Sequence, residues 1–325
     1  MATVTSDDIA RMRQQLFVEG DDASTRLSRF WMLLVLASII ATAGVVADST
    51  ATVIGAMIVA PLMTPILGIV LGVVLGDRAN VARSAGLVAA GALAVVAIAW
   101  LVGRFVTVPV LELGNSQVAG RVHPRLIDLV AALATGVVGS FALVRRDISD
   151  TLPGVAIAIS LVPPLAVVGL TLESGAPDQA RGALLLFVTN VAAILATGVI
   201  VMAVSGVHRF GPERGTLHRP SAIALVAALV VLVVVPLAAS TRIIALDTRN
   251  EQRIREVADD WVAGSGWEVV QVSTQQGSVV VRAIGPGDPP DTEDLRAALR
   301  AADLADVNVR VDLVPEVRVD LSDGD

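Results

Sequence analysis

Hydrophobic residues in this chain come in long runs, and polar residues collect between them. A run of about eighteen or more apolar residues has the length of a membrane-crossing helix. On that basis spans are predicted at about 27–47, 81–106, 126–144, 182–205 and 221–239. Two more segments, at about 50–76 and 151–172, are as apolar but carry prolines inside. The first has Pro61 and Pro65 with Thr64 between them; the second has Pro163 and Pro164 with Ser160 just before. Proline removes a backbone donor and clashes with the preceding turn, so each segment is expected to be a broken helix. Inside a bilayer, backbone freed in this way must be buried in protein or line a water-filled cavity.

The flanks read differently. Residues 1–28 are polar; Ser6 and Asp7 are placed to cap a short helix with Ile9, Met12 and Leu16 on one face and Gly20 after it. Such a helix is expected to pack on the membrane domain. The membrane domain is expected over 29–240, with Asp48 following the first span and a loop of roughly twenty residues after the third. Residues 245–325 lose the long apolar runs. Helix, strand, strand, helix, strand is the predicted order there, with Gln275-Gln276-Gly277 as a hairpin turn, and it suits a small soluble α+β domain. The GPGDPP stretch at 285–290 reads as a plain turn.

The two broken segments superpose when the chain is displaced by 99 residues. Asp48 then falls on Asp147, Gly55 on Gly154, Leu62 on Leu161 and Pro65 on Pro164. The flanking spans align as well, giving copies at about 29–106 and 126–205 and a last span at 221–239. Three crossings is an odd number, so the second copy would enter the membrane upside down. The fold class expected is an all-α polytopic membrane domain, a 3+3 inverted repeat with one extra span, followed by the α+β domain. Inverted repeats with interrupted helices recur in transporters, where solute is held near the midplane at the repeat interface. Asp48 and Asp147 are expected to cap the first halves of the two broken helices.

Composition narrows the chemistry. The chain is 54% hydrophobic with a mean hydropathy of +0.73, beyond an ordinary soluble domain. It has no cysteine, which excludes disulfides and thiol chemistry. The three histidines share no ligand spacing, so no metal or other cofactor is expected, and no nucleic-acid partner. If every segment crosses once, eleven arginines fall in loops on the N-terminal side and four on the other. That bias predicts a cytoplasmic N-terminus. Four further arginines after the last span leave the side of the C-terminal domain open.

No Asp, Glu or Arg lies deep in a span, so neither a buried proton relay nor an enzyme's acid–base pair is expected. The deep polar groups are Thr64, Ser160, Thr189 and Asn190, with Thr42, Thr52, Thr135, Ser140 and Thr197 as lesser candidates. Hydroxyls in spans commonly bond their own preceding turn, so only those beside the breaks are proposed to bind solute. The candidate set is Pro61, Thr64, Pro65, Ser160, Pro163, Pro164, Thr189 and Asn190. Small residues recur every fourth position at Gly86, Ala90 and Ala94, and at Ala132, Gly136 and Ser140. They suit close helix packing within one chain or in a homo-oligomer.

IGAMIVAPLMTPILG (54–68), PGVAIAISLVPPLAVVG (153–169) and LLFVTNVAAI (185–194) resemble signature stretches of the domain of unknown function 389 family. The resemblance implies a bacterial or archaeal inner-membrane protein and supplies no substrate. Two readings follow. One is a carrier or channel-like transporter for an ion or small solute. The other is a scaffold or sensor whose C-terminal domain binds a partner or ligand.

Overall fold

The computed structural model describes residues 4–107, 109–145, 161–211, 250, 252–275, 278–302, 304 and 307–315. It divides into two units, Met1–Ala238 and Ala239–Asp325.

In the first unit, α1 (Ser6–Leu16) precedes α2 (Ala23–Val46). The broken segment gives α3 (Thr50–Val59) and α4 (Met63–Leu75), and α5 (Arg78–Gly103) follows. Next come α6 (Ser116–Val122), α7 (Leu126–Val144), α8 (Val162–Glu173) and α9 (Pro177–Val204), then a 3-10 turn at Val207–Phe210. Among the described residues α2, α5, α7 and α9 are long and apolar enough to cross a membrane, and α3 with α4 makes a fifth candidate bent by 46°. The spans predicted at 27–47, 81–106, 126–144 and 182–205 are therefore helices, each within a few residues of its expected bounds. The predicted span 221–239 lies outside the described residues, as does the segment before Leu161.

Loop chemistry sets the helix ends. Thr5, one residue earlier than expected, caps α1 in a reciprocal capping box with Asp8. Asp77 caps α5 by accepting from the Asn80 amide at 3.2 Å. Gly76, at φ +76, closes α4 in the left-handed conformation that L-residues resist. One departure from expectation is α6, where the sequence suggested only loop.

The main core is built around α4, which is buried along nearly its whole length. Ile9, Met12, Leu16 and Phe17 bring α1 and the residue after it into the same cluster, so the N-terminal helix is a packed part of this unit. Glycines let the helices approach closely. A Cβ on Gly169 of α8 would lie 2.5 Å from the Val96 carbonyl oxygen and 2.6 Å from Ala99 Cβ on α5. A Cβ on Gly198 of α9 would lie 2.9 Å from Val70 Cγ2 on α4.

The second unit follows the predicted order. A helix over 252–262 (α10) precedes β1 (Glu268–Gln275), β2 (Ser278–Gly285), α11 (Thr292–Ala301) and β3 (Val309–Pro315). The sheet order is β1-β2-β3. β1 and β2 pair antiparallel, with a register shift between Val269 and Gln271, and the expected hairpin turn at Gln276-Gly277 lies outside the described residues. β2 and β3 are parallel, joined by α11. Ile254, Ala258, Trp267, Val281 and Leu295 lie in its separate core. Residues 285–290 hold no helix or strand beyond Gly285, in keeping with a plain turn.

Candidate functional site

The break between α3 and α4 is made by Pro61. Ala60 is extended, at φ −65 and ψ 126, as the residue before a proline is driven to be. Pro61 has no N–H, so the Met57 carbonyl loses its helical donor. The Thr64 amide donates to the Pro61 carbonyl at 3.2 Å and restarts the helix. Pro65 falls in the first turn of α4, where a missing N–H costs nothing. The sequence offered two breaking prolines; the structure assigns the break to Pro61 alone.

Pro61, Thr64 and Pro65 line a cavity of about 790 Å³. Its walls come from the end of α1, the first turns of α2 and the first turns of α5. Thr64 is exposed, Pro61 half-buried and Pro65 buried. Arg26, Arg29 and Arg83 also line it, and no acidic residue does. Arg26 is held by the backbone carbonyls of Gln14 and Phe17, the latter at 3.1 Å.

The second proline-bearing segment contributes elsewhere. Pro163 and Pro164 are buried in the first turn of α8, where they start a helix. Thr189 and Asn190 are buried in α9, at 3% and 2% exposure. Ser160 and Asp147 lie outside the described residues. Neither Pro164 nor Asn190 lines the cavity at the first break. Leu62 and Met63 beside the Pro61 break do share one apolar cluster with Leu161 and Val162 at the start of α8. Of the expected set, then, the cavity gathers Pro61, Thr64 and Pro65.

Asp48 does not cap the broken helix. Ser49 does, accepting from the Thr52 amide at 3.3 Å. Asp48 sits at φ +50 and turns away to α6, accepting from the Ser116 hydroxyl at 2.7 Å and the Gln117 amide at 3.0 Å. These bonds, the Ser116 hydroxyl first, hold its carboxyl below the usual value of 3.8. Asn115, the N-cap of α6, also donates to the Val45 carbonyl at 2.7 Å. The loop between α5 and α7 is thereby fastened to the turn between α2 and α3.

At the other end of the bundle, polar groups hold α1 in place. Arg13 meets Asp77 at 3.2 Å, and Glu19 meets Arg83 at 3.6 Å. Asn80 donates to Glu19 and to Asp77, at 2.5 and 2.9 Å. Burial pushes the Asp77 carboxyl up, but the Asn80 bonds and the Arg13 charge outweigh it and the net shift is downward. Arg11 donates to the Leu143 carbonyl at 2.9 Å, tying α1 to the end of α7.

The small-residue stripes have different surroundings. Gly136 packs directly on Ile194 and Thr197 of α9. Gly86 has open space where a side chain would be, and Gly86 and Ala90 are exposed. The first is therefore an intrachain contact.

Residues 57–196 match the family model described as Domain of unknown function (DUF389). They form a DUF389 domain. A similar protein is an uncharacterized protein of Methanocaldococcus jannaschii, 30% identical over 196 residues. That match covers 60% of this chain and 60% of the relative, so the chain spans less than two thirds of the relative's length. No solved structure matches.

The DUF389 domain begins within α3 and ends within α9. It contains the Pro61 break, Pro163-Pro164, Thr189 and Asn190. The residues α1 and early α2 contribute to the cavity, Arg26 and Arg29 among them, precede the matched region.

Proposed function

We propose that this protein is a membrane carrier for an ion or small solute, with the helix breaks as its binding elements. The observation that carries the reading is the cavity that reaches the Pro61 break, where Thr64 is exposed and the Met57 carbonyl lacks its helical donor. Interrupted helices present such backbone groups to solutes in known carriers.

A 3+3 inverted repeat is part of the proposal. In its support, α4 and α8 begin 99 residues apart, at Met63 and Val162. So do α5 and α9, at Arg78 and Pro177. The close contacts correspond as well. Gly198 against Val70 becomes Ala99 against Gly169 when each residue is moved by 99 positions. Each copy's post-break helix thus packs on the other copy's third span, as a two-fold relation requires. By the same displacement Asn190 takes the place of Gly91, whose neighbours include Leu62 at the first break. Asn190 is accordingly proposed to serve the second break.

The membrane is proposed to be a prokaryotic inner membrane, with the N-terminus cytoplasmic. The test is uptake of labelled ions and small metabolites into proteoliposomes, comparing wild type with Pro61→Ala and Asn190→Ala. Equal uptake by empty liposomes and wild-type proteoliposomes across a broad panel would remove the carrier reading.

A further inference from the structure

We infer that the cavity at the Pro61 break holds an anionic phospholipid, with its phosphate at Arg29 and Arg26 and an acyl chain along the apolar wall toward Pro61. The inference uses the cavity and not transport; a lipid that binds without moving leaves it intact. Three observations carry it. The lining is amphipathic: Phe30, Trp31 and Leu87 form an apolar wall, while three arginines and no acid stand with them. The charge is uncompensated on one side. Arg83 pairs with Glu19 and Arg26 is held by carbonyls, whereas Arg29 is exposed and has no ion pair or hydrogen bond among the described residues. The placement also fits a membrane ligand, since Arg26 and Arg29 lie in the first two turns of a helix long enough to span. Phosphate at that level leaves the chain to follow α2 inward, and basic pockets between membrane helices are known to take such headgroups.

The volume of about 790 Å³ is that of a ligand site rather than a packing defect. Exposed Leu27 on α2 and exposed Gly86 and Ala90 on α5 also line it, so the cavity opens at its side. Competing occupants match the charge less well. The apolar segment 221–239 contains no Asp or Glu and could fill the groove but not neutralise Arg29. A second copy docking through its own α5 would bring another Arg83 to the same place.

The full chain, reconstituted in vesicles, tests this through quenching of Trp31 fluorescence by lipids brominated on their acyl chains. Brominated phosphatidylglycerol should quench more than brominated phosphatidylcholine with the same chains, and Trp31→Phe should remove that excess. Arg29→Gln should weaken the preference about fivefold, the weight of one basic residue near an anionic lipid, while Arg29→Lys should keep it. An equal preference in wild type and Arg29→Gln overturns the inference. So does the absence of any quenching that depends on Trp31, as expected if segment 221–239 or a second copy fills the groove.

Discussion

Gly198 of α9 lies so close to Val70 of α4 that a methyl group added to it would come within 2.9 Å of Val70 Cγ2 and 2.8 Å of Ser140 Oγ. Both obstacles are side-chain atoms. Gly169 of α8 faces a harder surface, with the Val96 carbonyl oxygen at 2.5 Å and the Trp100 amide nitrogen at 2.8 Å from its would-be Cβ. Backbone cannot step aside as a side chain can. Gly198→Ala should therefore destabilise by about 1–3 kcal/mol and be partly rescued by Val70→Ala, which removes the crowding methyls and leaves only the Ser140 hydroxyl to turn aside. Gly169→Ala should cost more, and Ala99→Gly should not rescue it. Thermal unfolding of the purified protein in detergent measures all four variants; rescue of Gly169→Ala by Ala99→Gly would contradict the backbone contact.

Asp48 ties the loop between α5 and α7 to the bundle through its charge. Its folded carboxyl is depressed below 3.8, so the stabilisation is complete above that value and is lost as pH falls through the folded value. Hydrogen exchange at Gln117, taken relative to the intrinsic rate of an unprotected amide at each pH, should thus be unchanged from neutral pH down to about 5 and accelerate in more acidic buffer. Asp48→Ala should accelerate it at every pH, because it loses both bonds and leaves a residue at φ +50 that prefers not to be there. Asp48→Asn tolerates that φ and should remove only the acid-dependent part. An exchange rate at Gln117 that ignores Asp48→Ala would refute the link.

The long spans were legible because their apolar runs exceed anything a soluble helix needs. The α+β order was legible from the change of period after residue 245. What escaped was decided by distant partners. Nothing in SQVAGRV marks α6 as a helix; Asp48 and Val45, about seventy residues earlier, hold its first turn. The reassignment of Asp48 has the same cause, since Ser49 beside it was equally able to cap α3. The cavity was only half legible: its prolines were visible, but Arg26, Arg29 and Arg83 meet there from two helices. Which of Pro61 and Pro65 breaks the helix depends on where α4 starts, and composition does not fix that to four residues.

Asp77 joins α4, α5 and α1. Asp77→Ala removes the N-cap of α5 and the Arg13 partner together. Loss of an N-cap alone costs about 1 kcal/mol. The more specific outcome is release of α1, read as faster proteolysis between Gln14 and Gly20. Arg13→Ala should accelerate that cleavage with little change in global stability. If Asp77→Ala lowers stability but leaves the cleavage rate alone, the clamp is not what holds α1.

The two prolines of the first broken helix should differ in function as they differ in position. Pro61→Ala restores an N–H opposite the Met57 carbonyl and relieves the restraint on Ala60, so α3 can continue toward α4 and the 46° bend should shrink. Pro65→Ala restores an N–H in the first turn of α4, where the ladder was never interrupted. If the break binds solute, Pro61→Ala should reduce proteoliposome uptake at least about tenfold, the effect of losing one charge-assisted or backbone ligand of about 1.4 kcal/mol. Pro65→Ala should remain within about twofold of wild type, since it loses only packing of a buried ring that Ala partly replaces. Both variants must incorporate equally for the comparison to hold, which quantitative immunoblotting of the vesicles checks. Equal losses in the two variants would place the sensitivity in ring packing, and the role assigned to the interrupted backbone would fall.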